Sequence, residues 1–146
     1  MNPCLFCKIA AGDIPATKLY EDDLVVAFLD IAPLNPGHAL VIPKSHHFAA
    51  SDLPEATAGR LLGVAGRLGA ALMRVVDADG FNLLLANGAA AGQVIPHAHL
   101  HVIPRFPADG IQLPSRTRPY ADAAARDELA AKIRERLAKP EGGPAA

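Results

Sequence analysis

Three histidines alternate with apolar residues in His97-Ala98-His99-Leu100-His101-Val102-Ile103, and this alternation limits the fold more than any other feature of the chain. Successive side chains of an extended segment point to opposite faces, with about 6.6–6.8 Å between residues two apart. His97, His99 and His101 therefore share one face, and Ala98, Leu100 and Val102 share the other. Such a strand needs a core on its apolar side. Its imidazole side needs partners or a cavity, because burying unpaired polar groups costs on the order of several kcal/mol. A strand over His97 to Ile103 is predicted, stopped by Pro104.

The surrounding pattern supplies the rest of a sheet. Leu5 to Ala11 reads as a short helix, stopped by Gly12 and Pro15. Lys18 to Tyr20 and Leu24 to Asp30 read as two strands of a hairpin around Glu21-Asp22-Asp23. A Pro/Gly loop, Ala32 to His38, leads into a buried strand, Ala39 to Pro43. Asp52 with Glu55 forms a candidate capping box for a long helix, whose apolar face is Leu61, Ala65, Leu68, Leu72 and Val76. Gly59, Gly63, Gly66 and Gly69 weaken that helix, and tight packing of a small-residue face on the sheet is expected to offset this. Phe81 to Ala86 is a further strand, followed by a turn at Asn87-Gly88. The last helix spans about Ala121 to Ala138, with Leu129, Ile133 and Leu137 on one face. Glu128 with Lys132 and Glu135 with Lys139 form i,i+4 pairs. The order predicts an α+β domain: an antiparallel five-stranded sheet with the long helix and the C-terminal helix packed on it. Residues 1–139 are expected to form one domain and 140–146 a disordered tail.

A chain of 146 residues with 51% hydrophobic and 20% charged residues is not a disordered one. Its net charge of −1 gives no overall field favouring nucleic acid or an anionic membrane. No apolar run is long enough to span a bilayer, and no basic segment precedes an apolar run at the N-terminus. A cytoplasmic protein without nucleic-acid or membrane partners is expected. Two cysteines are too few for a disulfide scaffold.

The imidazole row fits three readings. Neutral imidazole is a good nucleophile toward phosphorus near neutral pH, and its neighbours can donate hydrogen bonds to phosphoryl oxygens. His-x-His on a strand is also a good element of a catalytic metal site. The third reading is a row of surface histidines. The loop Asn87-Gly88-Ala89-Ala90-Ala91-Gly92-Gln93 adds weight to the first, because it carries no bulky side chain before Gln93 and would let backbone amides approach a phosphate.

With these residues the chain resembles the histidine-triad family of nucleotide hydrolases and transferases. The resemblance runs from Cys4 to about Leu137. It rests on Cys4-Leu5-Phe6-Cys7-Lys8-Ile9, Tyr20-Glu21-Asp22-Asp23, Ala27-Phe28-Leu29-Asp30-Ile31-Ala32-Pro33, Pro36 to Lys44, Ala91-Gly92-Gln93 and the histidine strand. It is nearer to bacterial relatives of histidine-triad nucleotide-binding proteins than to the longer uridylyltransferases. It implies a homodimer whose sheets join, and hydrolysis of a purine nucleoside 5′-phosphoramidate or related nucleotide. His99 would attack the α-phosphorus to give a nucleotidyl-histidine, which water resolves. His101 would bind the phosphate and assist the leaving group, with His97 and His38 completing the catalytic cluster. Asp30 would accept hydrogen bonds from the ribose hydroxyls. Leu5, Phe6, Ile9, Phe28, Leu29 and Ile31 would line a base pocket. Asn87, Gly92, Gln93 and Val94 would flank the nucleotide. Val94 and Ala86 depart from the family's usual Ser or Thr and Asn. A dinucleoside polyphosphate hydrolase, drawing on the charge of Lys44 and Arg105, and a nucleotide-binding adaptor are the alternatives.

Cys4 and Cys7 form half of a zinc site. The resemblance implies that His46 and His97 complete it, giving a structural zinc with no open position. His97 would then be withdrawn from any open catalytic metal site beside His99, so no catalytic metal is required.

Overall fold

A computed structural model describes residues 4–112 and 117–139. Its five strands are β1 (Lys18–Glu21), β2 (Val25–Leu29), β3 (Ala39–Pro43), β4 (Gly80–Leu84) and β5 (Leu100–Arg105). They form one antiparallel sheet in the order β1-β2-β3-β5-β4. The helices are α1 (Leu5–Ala11), α2 (Glu55–Val75) and α3 (Ala123–Leu137). The chain divides into two compact units, Met1–Ile111 and Gln112–Ala146. The first holds the whole sheet with α1 and α2. The expected tail, 140–146, lies outside the described residues.

The sheet separates two apolar clusters. On one face Val25, Ala27, Val41, Leu100 and Val102 pack with Leu61, Val64, Ala65 and Leu72 of α2. On the other, Val26, Phe28, Leu40 and Ile42 pack with Cys4, Phe6 and Ile9 at α1. Strand pairing sets Leu40 opposite His101. The histidines thus lie on the α1 face, away from the long helix.

β5 departs from expectation at both ends. Its ladder starts at Leu100, so His97 and His99 precede it. The pairing with β3 reaches no further back than Val41↔Leu100, and before it the Ala98 amide donates to the His47 carbonyl of the turn after β3 at 2.6 Å. Ala98 is fully buried there. Pro104 does not stop the strand. The β3 pairing has already ended at Val102, and the Asn35 side chain takes the Pro104 carbonyl at 2.8 Å. No β3 carbonyl stands there to need the missing N–H.

α2 begins at Glu55 behind Pro54, not at an Asp52 cap. Asp52 closes a preceding 3₁₀ turn, Ala50–Asp52, where its carboxylate accepts the Ala49 amide. Of the four helix glycines only Gly69 serves close packing: a Cβ there would come within 2.4–2.6 Å of the Phe81 ring. At Gly59, Gly63 and Gly66 a Cβ would meet nothing, so the expected small-residue face reduces to one position. In α3 Asp122 is the N-cap, its carboxylate accepting the Ala125 amide at 2.7 Å. The two expected ion pairs are present at 2.8 and 2.9 Å. Leu129, Ile133 and Leu137 are 43%, 51% and 79% exposed.

Candidate active site and metal centre

Cys4 is the N-cap of α1, and Cys7 lies one turn on, so both thiols project from the same side. They converge on His97. Its Nδ1 is 3.5 Å from Cys4 Sγ and 3.5 Å from Cys7 Sγ, while His46 Nδ1 is 3.3 Å from Cys7 Sγ. All four ligand atoms lie within 4.8 Å of one another. Tetrahedral zinc with Zn–S of about 2.3 Å and Zn–N of about 2.0–2.1 Å needs S···N separations of about 3.5 Å, close to the 3.3–3.5 Å of the Cys4–His97, Cys7–His97 and Cys7–His46 pairs. His97 is fully buried, and its Nε2–H donates to the Pro43 carbonyl at 2.9 Å. That bond fixes the tautomer and turns the Nδ1 lone pair toward the sulfurs, as a ligand histidine requires. Two soft thiolates and two imidazoles suit zinc, so the residues present fit the ion.

The same residue serves the next histidine through its backbone. The His97 carbonyl accepts a hydrogen bond at 2.7 Å from His99 Nδ1. A carbonyl cannot donate, so the proton of His99 sits on Nδ1 and the Nε2 lone pair is left for chemistry. The Phe6 ring stands edge-on to His99, with centroids 5.2 Å apart.

His38 is governed from its own loop. The Leu34 amide donates to His38 Nδ1 at 3.0 Å, which places the His38 proton on Nε2. His38 Nε2 then meets His101 Nδ1 at 2.9 Å, so His101 is the acceptor there and carries its own proton on Nε2. Asp30 Oδ2 lies 3.6 Å from His38 Nε2. Asp30, His38 and His101 are close enough to hold a metal, but ligation through His38 Nε2 would move its proton to Nδ1, against the Leu34 N–H. The hydrogen-bond chain is the better account of this cluster.

Burial, then the like charge of His99 and His38, lowers the pKa of His101 to about 4, with Asp30 opposing. His38 is also lowered, by burial against the pull of Asp30. Between about pH 6.5, the ordinary imidazole value, and about 4, the unfolded chain takes up a proton that folded His101 refuses. Stability is therefore expected to fall as pH drops through that window. Urea midpoints at half-unit pH steps check this, and His101→Asn should flatten the fall.

The remaining expected positions divide. Asp30 Oδ1 accepts the Ala32 amide at 2.8 Å, which closes the turn after β2. Phe6, Ile9 and Phe28 are core residues, whereas Leu29 is half-buried and Ile31 fully exposed. Gln93 is buried and committed: its Oε1 accepts the Gly88 amide at 2.7 Å, and its Nε2 donates to the Phe48 and Ile95 carbonyls. Asn87 Oδ1 accepts the Ala50 amide at 2.6 Å. The amides of Gly88, Ala91, Gly92 and Gln93 all donate within the chain, so the loop is braced from inside. Gly88 and Gly92 are needed for their positive φ of 85° and 91°. Val94 projects outward, 85% exposed, and Ala86 is buried. Sequence reasoning misses the backbone groups that set the tautomers, the Leu34 amide and the Pro43 and His97 carbonyls. No side-chain pattern marks them.

A family model for the HIT domain matches residues 11–108. Adenylylsulfatase HINT3 of Arabidopsis thaliana is 45% identical over 104 residues, 71% of this chain and 53% of that protein, so the chain spans about half of that relative's length. Adenosine 5'-monophosphoramidase hnt1 of Schizosaccharomyces pombe is 38% identical over 135 residues, 90% of this chain and 98% of that protein. A crystal structure of a Zn-bound histidine triad family protein from Mycobacterium smegmatis aligns with a TM-score of 0.72 at 37% identity, covering 94% of this chain and 98% of that one. With the sheet order, the imidazole cluster and these likenesses in agreement, the chain belongs to the HIT domain family.

Proposed function

We propose that the chain is a nucleotide hydrolase that cleaves purine nucleoside 5′-phosphoramidates or related nucleotides at the α-phosphorus through a nucleotidyl-His99 intermediate. The observation that carries this is the lock on His99: with Nδ1–H held by the His97 carbonyl, the free Nε2 lone pair is the nucleophile. In the first step His99 Nε2 forms a bond to phosphorus and the bond from phosphorus to the leaving nitrogen breaks. That nitrogen keeps the electron pair and takes a proton from water. In the second step a water oxygen attacks phosphorus, gives up a proton to solvent, and the electron pair returns to Nε2. His101 Nε2–H donates to a phosphoryl oxygen in both steps and stabilises charge there. Asp30, with one oxygen on the Ala32 amide, keeps acceptor capacity for a ribose hydroxyl. Exposed Ile31 and half-buried Leu29 beside it offer apolar contact to a base.

Cys4, Cys7, His46 and His97 would hold a structural zinc, which supplies a fixed cross-link between α1 and the segment entering β5. The names of the Arabidopsis and Schizosaccharomyces relatives support an adenylyl substrate. The polyphosphate alternative loses support because its two candidate cations are engaged: Lys44 pairs with Glu21 at 2.9 Å and Arg105 with Asp109 at 2.8 Å. The test is rapid mixing with radiolabelled adenosine 5′-phosphoramidate and an alkaline quench, which spares a phosphorus–nitrogen bond. A burst of label on the protein, mapped to the peptide with His99, is expected. Turnover without a covalent species would overturn the proposal.

A further inference from the structure

The orientation of His38 depends on a turn, and the turn is anchored by a side chain outside the histidine cluster. Residues 34–38 carry His38 into β3. Within them the His38 amide donates to the Asn35 carbonyl at 3.0 Å, and the Leu34 amide donates to His38 Nδ1. Gly37 seats the turn on α2: its φ is +89°, and a Cβ there would meet Leu72 Cδ2 at 2.8 Å. What ties the turn to β5, the strand that carries His101, is the Asn35 amide. Its Nδ2 donates to the Pro104 carbonyl at 2.8 Å and to Asp109 Oδ2 at 3.0 Å.

Asp109 is built to receive it. Its carboxylate also accepts two bonds from Arg105, at 2.8 and 2.9 Å, and the amides of Phe106 and Ile111 at 3.1 and 3.0 Å. Arg105 is fixed in turn by Asn82 of β4 and by the Ile111 carbonyl. The turn is therefore bolted to a rigid assembly at the end of β5 by an amide with both hydrogens used.

We propose that Asn35 is a positioning residue: clamped by Asp109 and the Pro104 carbonyl, it holds the Leu34 amide on His38, and so fixes through His38 which nitrogen of His101 faces the phosphoryl group. The claim rests on the reading of His101 given above, and it extends that site to a residue touching neither substrate nor reacting atoms. Without the bolt the Leu34 amide can leave His38 Nδ1. Both His38 tautomers then become accessible, and His101 follows whichever proton it is offered.

The test compares wild type with Asn35→Ala by ¹⁵N NMR of histidine-labelled protein at neutral pH, together with steady-state kinetics on adenosine 5′-phosphoramidate. Wild type is expected to show His38 and His101 protonated on Nε2 alone. Asn35→Ala is expected to show mixed tautomers at these two rings. Its kcat should fall about 10- to 100-fold with KM within about threefold, the cost of a misplaced donor. Unchanged tautomers in the variant overturn the proposal, as does a tautomer change that leaves kcat intact. Loss of turnover in wild type itself would refute the hydrolase reading, while the tautomer comparison still decides the role of Asn35. Should Asn35→Ala not fold, the wild-type spectrum decides alone: His38 protonated on Nδ1 overturns the proposal, and Nε2 supports it.

Discussion

His99→Ala is expected to lower turnover of adenosine 5′-phosphoramidate at least about 10⁴-fold, the scale seen when a covalent nucleophile is removed from an intact site. Nucleotide affinity should change little. The cluster is assembled by groups the substitution leaves in place: the Leu34 amide on His38, the His38–His101 bond, and Asp30 on the Ala32 amide. Removal of His101 should cost less, about 10²- to 10³-fold, because a hydrogen-bond donor stabilises charge without forming the bond. The order of the two losses is as informative as their size. Quench-flow measurement on each variant checks it, with binding of adenosine monophosphate followed by calorimetry. A His99→Ala protein that still turns over at a tenth of the wild-type rate would remove His99 from the nucleophilic role, whatever the geometry around it.

Much of this was legible in the chain because strong local signals agreed. β3 matches its expected bounds, and α1 does too, since Gly12 adopts the left-handed cap that ends it. The alternation of His97, His99 and His101 correctly placed them on one face even though only His101 lies in a paired strand. Where reading failed, a partner distant in sequence decided the outcome. Pro104 can continue β5 because β3 has already ended beside it and Asn35 takes its carbonyl. Asp52 does not cap α2 because it lies in a 3₁₀ turn two residues ahead of the Pro54 N-cap, where its carboxylate is taken by the Ala49 amide. The glycine loop before the histidines gives no local sign of its bracing by Gln93, whose side chain joins the Phe48 carbonyl, 45 positions back, to the Gly88 amide. Backbone carbonyls and amides carry no sequence signature, so the groups that set each imidazole's proton emerge only from the fold.

Protein purified without chelators is expected to carry one zinc ion per chain, and Cys4→Ser is expected to lose it. The stability effect follows from where Cys4 sits. It is at once the first residue of the α1 face, a ligand, and part of the apolar cluster with Phe6, Ile9 and Phe28. A zinc-finger peptide draws about 10–16 kcal/mol from its metal because it has little else. Here the sheet and α2 build a core independently, so the loss should be smaller, about 3 kcal/mol, corresponding to a Tm lower by roughly 6–12 °C for a chain of this size. The damage should be local. Without the ion, α1 keeps its packing on Val26 and Leu40, and the His97 ring keeps the Pro43 carbonyl on Nε2 and the Cys7 sulfur near Nδ1, but loses the bond that held them at fixed distance. His97 still offers its backbone carbonyl to His99, so turnover at temperatures well below the new midpoint should persist at a reduced level. Elemental analysis and calorimetric melting of wild type and Cys4→Ser, each with and without a strong chelator, check this. Wild type without metal, or a Cys4→Ser variant that melts with the wild type, would show that the four side chains cluster for packing alone.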